Sequence, residues 1–194
     1  MAALPMPGKP AGFWLRSAAW CLDWLLLSPL LYVALRPGLS DAAAQFQGLR
    51  TQLENWMLAQ SWQADSALGL WLDLSTRMLA DPALQAQLTQ ATLRLCAGLT
   101  WTLVLASLLA AVYFIAFEAS PWQATPGKRW LGLRVIAVAG GPVGVSRAAA
   151  RFFAGSLSWL SLNLGHAMAM FRRDGRALHD LIAGTAVVVF RPVA

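Results

Sequence analysis

Residues 95–117 read LCAGLTWTLVLASLLAAVYFIAF, 23 residues from Leu95 to Phe117 without one charged side chain. A helix needs about 20 mostly apolar residues to cross a hydrocarbon core, so this stretch predicts a membrane span. Upstream, Phe13 to Leu35 has the same length but carries Arg16 and Asp23. It reads as an uncleaved helix rather than a signal peptide, because Asp23 interrupts the apolar region and no small-x-small cleavage site closely follows Leu35. Downstream, Phe152 to Phe171 is uncharged but broken by Gly155, Asn163 and Gly165. Leu181 to Phe190 is too short to span, and its Val187-Val188-Val189-Phe190 run favours a strand.

Composition agrees with that reading. Of 194 residues, 58% are hydrophobic and 12% charged, against about 25% charged in a typical soluble domain. A disordered chain is excluded, and an ordinary soluble enzyme fits poorly. The net charge of +6 is interrupted by membrane-grade stretches, which suits a basic membrane face better than nucleic-acid binding. Cys21 and Cys96 lie apart in apolar segments without a CxxC partner, so neither a disulfide framework nor a zinc site is expected.

Loop charges set an orientation, because basic loops stay cytoplasmic. Residues 36–92 hold three Arg against five acids, a net of −2, whereas residues 119–151 hold Lys128, Arg129, Arg134, Arg147 and Arg151 with no acid, a net of +5. The N-terminus and the 119–151 loop are therefore expected inside, and 36–92 outside. If Phe152–Phe171 spanned, Arg172, Arg173, Arg176 and Arg191 would lie outside, against that tendency. Ser156, Ser158, Ser161 and Asn163 give the segment polar character, which fits a bent, re-entrant or partly spanning helix. The expected fold is mainly α and membrane-integral: two full transmembrane helices, this third membrane-embedded helix, a helical extracytoplasmic insertion and a small cytoplasmic sheet. It forms one domain over residues 1–194, with the insertion at about 36–92.

Within the insertion, Ser40 is expected to cap one helix and Asp65 or Ser66 a second, while Asp81-Pro82 opens a third that runs into the second span. In the basic loop, Leu133 to Val138 predicts a strand, Gly140-Gly141-Pro142 a turn, Val143 to Val145 a returning strand, and Thr185 to Phe190 a third.

The charges inside apolar segments carry the functional signal. An Asp at a helix centre costs roughly 2.5–3.5 kcal/mol on translocon scales and is a functional candidate by default. Arg16 and Asp23, seven residues apart, share a helix face but lie about 10 Å apart along the axis, so each is expected to find its partner elsewhere. Two readings stay open: a polar clamp in which Asp23 accepts from an Arg or an indole, or a titrating or cation-binding Asp23 tuned by Arg16. The second charged knot runs from Arg172 to Asp180 and contains His179; Asp174-Gly175 reads as a turn. His166 reads as a packed polar residue and Glu118 as an interfacial acid. Arg16, Asp23 and Asp180 are expected to share one network, with arginines of 128–134 and 172–176 as counter-charges. No ligand spacing supports a metal, and no nucleophile–base pair or cofactor motif points to an enzyme.

Three stretches together resemble the RDD family of bacterial membrane proteins, named for one arginine and two aspartates. They are AGFWLRSAAWCLDWLLLSPL (11–30), TPGKRWLGLRV (125–135) and RRDGRALHDLIAGTAVVV (172–189). The resemblance implies Arg16, Asp23 and Asp180 as the signature set, and Thr125, Pro126, Gly127, Lys128, Arg129, Arg172, Arg173, Arg176 and His179 as a supporting motif. It implies a multi-pass protein of the bacterial inner membrane and extends to transport of ions or small ligands of the cation/proton exchange type. Two spans offer little machinery for alternating access, so transport would require an oligomer. The alternative is an accessory or scaffold protein whose buried charges are structural and whose outer helices bind a partner. Expected partners are the bilayer, anionic headgroups on the cytoplasmic face, and a second copy or another membrane protein; no cofactor and no nucleic acid are expected.

Overall fold

A computed structural model of the chain describes residues 8–62, 66–160, 164–172 and 174–190. Asp65, Ser161, Asn163, Arg173 and Arg191, on which parts of the reading above rest, lie outside the described residues. In chain order the elements are β1 (Lys9–Pro10), α1 (Phe13–Leu58), α2 (Ala67–Ala80), α3 (Pro82–Ala119), α4 (Pro126–Trp130), β2 (Leu133–Ala137), α5 (Val145–Leu160), α6 (Leu164–Phe171), α7 (Leu178–Ile182) and β3 (Thr185–Val189). They fall into two compact units, Met1–Leu31 with Ser107–Ala194, and Tyr32–Ala106.

Helices α1 and α3 are long and apolar enough to cross a membrane, and only 17% and 11% of their most apolar windows are buried. A core helix of a soluble domain would hide that surface; these helices turn it outward, as lipid-facing segments do. Both run well past the predicted spans. The helix expected to begin at Ser40 does not begin there: α1 continues unbroken through Pro29 and Pro37 to Leu58. Proline denies the carbonyl four residues earlier its partner, and at Pro29 the Ser28 hydroxyl takes over by donating to the Leu25 carbonyl at 2.8 Å. Ser40 bonds within the helix, donating to the Pro37 carbonyl at 2.8 Å.

In the second unit, Ser66 caps α2 by accepting from the Gly69 N–H. Asp81 opens α3 by accepting from the N–H groups of Ala83 and Leu84, both at 3.0 Å. The Trp56 indole donates to the same carboxylate at 2.9 Å, tying α1 to the start of α3.

In the first unit the sheet has order β1-β3-β2, antiparallel throughout. Leu133 pairs with Val189 and Ala137 with Thr185. Leu133, Val135 and Ala137 alternate inward, and Leu133 and Val135 pack with Val187, Ala11, Ala19, Val143 and Ala148. Val143 to Val145 does not return as a strand. The edge of β2 is already engaged at Val135, whose N–H donates to the Gln123 carbonyl at 2.8 Å. Val143 drops into the core and Val145 opens α5. The third strand is instead Lys9–Pro10, from the residues just before α1.

The 152–171 segment is not one straight helix. A side-chain carbon at Gly165 would collide with the Ser158 hydroxyl and meet Leu178. Residues seven apart in a continuous helix stand about 10 Å apart along the axis, so α6 doubles back on α5 and needs glycine at the crossing.

Candidate functional site

The buried charges of the first unit form an alternating ladder. Its first rung is Arg16, near the start of α1. One guanidinium nitrogen donates to Asp180 Oδ2 at 2.5 Å and lies 3.3 Å from His179 Nε2; the other donates to the Gly175 carbonyl at 2.6 Å. Asp180, on α7, is fully buried. Its Oδ2 also accepts the Ala177 N–H at 3.0 Å, and its Oδ1 accepts from Arg151 Nη1. Arg151, in the first turns of α5 and 4% exposed, is the central cation. Its Nη1 also donates to the Thr185 hydroxyl at 2.6 Å, and its Nε to Glu118 Oε2 at 2.8 Å. Glu118, at the end of α3, accepts from Lys128 on α4 with its other oxygen. The run Arg16–Asp180–Arg151–Glu118–Lys128 thus joins α1, α7, α5, α3 and α4, and sets three cations against two acids.

Asp23 stands outside this ladder. It is fully buried on α1, one helix face with Arg16. Its Oδ1 accepts the Tyr113 hydroxyl at 3.0 Å and the Gly127 N–H at 2.8 Å, and its Oδ2 accepts the Thr125 hydroxyl at 2.5 Å. All three donors are neutral, and among the described residues no cation lies within ion-pair distance. Thr125 precedes α4 and Gly127 is in its first turn, where backbone N–H groups lack partners inside the helix. The contact demands glycine: a Cβ on Gly127 would meet the Ala19 carbonyl and lie 2.8 Å from the Asp23 carboxylate. The TPGK run therefore works as a latch that presents one hydroxyl and one amide to a carboxylate of the first helix.

The expectation of one network for Arg16, Asp23 and Asp180 is corrected. Arg16 and Asp180 meet directly, whereas Asp23 has its own neutral donors and neither an arginine nor an indole. The counter-charges also differ. Arg172 and Arg176 both turn to Asp174, at 2.8 Å and 2.9 Å, closing the turn read at Asp174-Gly175. Arg129 stacks on Trp122, 4.4 Å from the ring centre. The guanidinium that serves Asp180 from the far side is Arg151, in sequence only one of the charges of the 119–151 loop. Glu118, expected as an interfacial acid, is instead a buried rung. Both residues are lone charges at the edges of apolar runs, and that position is the one signal pointing to them.

Electrostatics follow from this geometry. Burial pushes Asp180 toward protonation, but the guanidiniums of Arg151 and Arg16 outweigh it and hold the carboxyl well below the ordinary range. Burial, with Arg151 and Arg16 adding to it against the pull of Asp180, brings His179 down to about 3 and keeps it neutral. His166 packs its ring 5.0 Å from that of His179 and is also lowered, by burial first and then by Arg16. Among the described residues no group of three or more His, Cys, Asp or Glu is disposed to hold a metal.

The comparisons with known proteins cover the same ground. The family model described as "RDD family" matches residues 10–184, a range that takes in Arg16, Asp23, the TPGK latch, Arg151 and Asp180. The uncharacterized protein YxaI of Bacillus subtilis (strain 168) is 27% identical over 180 residues, which cover 93% of this chain and 97% of that protein. No solved structure matches. With a family match along nearly the whole chain, the protein belongs to the RDD family.

Proposed function

We propose that this protein is a multi-pass accessory protein of the bacterial inner membrane, in which the family's signature charges are a structural lock rather than a pathway. One observation carries the reading: each rung of the ladder is bonded within the chain, Asp180 to two guanidiniums and Glu118 to a guanidinium and an ammonium. A transported ion would have to displace those partners, and a buried ion pair that loses one member costs about 3–5 kcal/mol. The lock holds the sheet, α4, α5 and α7 against the cytoplasmic ends of α1 and α3.

The orientation belongs to the same proposal. Residues 36–92 face outside and 119–151 inside, on the strength of the −2 and +5 charge balance. The sheet supports a cytoplasmic tail, because it joins residues 9–10, before the first span, to 133–137 and 185–189. The doubled-back α5–α6 segment then re-enters without crossing, and the basic face meets anionic headgroups. A second copy or another membrane protein engages the outer helices.

A second reading rests on Asp23. A buried carboxylate held only by neutral donors is the one acid of the unit to which a cation or proton could be exchanged by an oligomer. Ion flux in proteoliposomes separates the two. The accessory reading expects no sodium- or proton-dependent flux above empty vesicles, and an Asp23→Asn protein that loses stability. Flux in wild type that disappears in folded Asp23→Asn would establish the transport reading instead.

A further inference from the structure

On the sheet face away from the ladder lies a groove of about 400 Å³, within the size range of small-molecule sites. Its apolar lining includes Pro121, Ile136, Pro142 and Phe190, and its polar members are Gln123 and Arg134. Among the described residues Gln123 is the non-glycine residue with a left-handed backbone, φ 50°. That strain is held in place at both ends of its peptide unit, the N–H donating to the Ser120 carbonyl at 2.9 Å and the carbonyl accepting from Val135 at 2.8 Å. Gln123 is 7% exposed, lines the groove, and bonds through its side-chain amide to no described residue. Backbone strain of this kind clusters at ligand sites and switch regions.

Arg134 completes the polar end. Its guanidinium lies 5.1 Å from the Phe190 ring centre. One nitrogen donates to the Pro121 carbonyl at 3.2 Å, while Nε is buried without a partner among the described residues. No acid is paired with it among the described residues. One unneutralised positive charge and one unbonded amide therefore face an apolar trough.

We infer that this groove binds a small organic monocarboxylate with an apolar body, its carboxylate taken by Arg134 and Gln123 and its body lying along the apolar lining. A planar guanidinium beside an amide donor suits a carboxylate. Among the described residues one cation lines the groove; it balances one negative charge, so a phosphate monoester, carrying about −1.5 to −2 at neutral pH, would remain undercompensated in so apolar a lining. The inference does not depend on whether the ladder is a lock or Asp23 a transport site.

Calorimetric titration of the full chain in neutral-detergent micelles tests it, with octanoate, octanol and octyl phosphate as probes. Octanoate should bind saturably at one site per chain, at least tenfold more tightly than either other probe. Arg134→Gln should weaken octanoate at least tenfold. Gln123→Gly removes the amide and relaxes the left-handed backbone, so it should weaken octanoate while leaving thermal stability unchanged or raised. That variant carries the test should Arg134→Gln fail to fold. Octanol binding as well as octanoate, octyl phosphate binding more tightly, no saturable site, or octanoate affinity unchanged in Gln123→Gly would each overturn the inference.

Discussion

Arg151 shows how one side chain can set the energetics of a site without belonging to its signature. It satisfies two buried acids on two different elements, so replacing it strands both. Arg151→Met is expected to lower unfolding stability by about 3–5 kcal/mol, read by thermal or denaturant unfolding in micelles. Arg151→Lys should not restore it, because one ammonium lacks the fork that reaches Glu118 and Asp180 together. His179 leads to a pH prediction. Its pKa is about 3 when folded against about 6.5 when unfolded. Above pH 6.5 both states are neutral and the residue contributes no slope. As pH falls from 6.5 toward 3, the unfolded chain takes up a proton that the folded one refuses, so stability is lost, by up to about 1.4 kcal/mol per pH unit for one proton. His166, lowered for the same reason, acts in the same direction. Asp180 and Asp174, both held low by arginines, contribute stability that is present above about pH 4 and is lost only below it. The fall in unfolding midpoint between pH 6.5 and 5 should therefore flatten in His179→Gln; an unchanged slope would show that the ring is not buried neutral.

Short elements do the joining. The TPGK latch rests on a two-residue contact, the Thr125 hydroxyl and the Gly127 amide on Asp23. Gly127→Ala drives a methyl group into the Ala19 carbonyl and the Asp23 carboxylate, an overpacking expected to cost about 1–3 kcal/mol. Thr125→Val keeps the shape but deprives a buried carboxylate of one donor, expected to cost about 1–3 kcal/mol as well. Equilibrium unfolding of the two single variants and the double variant checks this. The double should cost less than the sum, since both act on one contact; full additivity would mean that the two contacts do not share Asp23. Three capping and strand signals, Ser66, Asp81-Pro82 and the β2/β3 runs, were legible because each depends on a few neighbouring residues. Ser40 misled because a serine that caps a helix and a serine that bonds back inside one look alike without the backbone.

For the chain as a whole, orientation is the quantity that sequence charge and fold address together. A reporter inserted after Asp73 is expected to label from outside, and one inserted at Gly140-Gly141 only from inside. A tag following residue 194 should share the inside location, since β3 pairs with the strand that precedes the first span. Cysteine accessibility or reporter fusions check all three positions. Outside labelling of the C-terminal tag with inside labelling at Gly140-Gly141 would mean that residues 152–171 cross the membrane.

Hydropathy and three short motifs suffice to place two helices long and apolar enough to span a membrane, two strands and the family of this chain, because hydropathy and strand propensity are properties of contiguous residues. They also mark Arg16, Asp23 and Asp180, since charge in an apolar segment is conspicuous wherever it finally packs. The partners of those charges are another matter. Asp180 meets Arg151 across 29 positions and Arg16 across 164, and Asp23 meets Thr125 across 102. Which acid faces which base depends on how helices and sheet close over one another, and with fifteen Lys and Arg and nine acids in the chain many neutral pairings satisfy the same composition. Coulomb attraction acts without regard to sequence separation, so the choice among pairings is made by packing: the glycine that lets α4 touch α1, the glycine at which α6 folds back on α5, and the strand order that brings β3 between the first residues of the chain and the loop beyond α3.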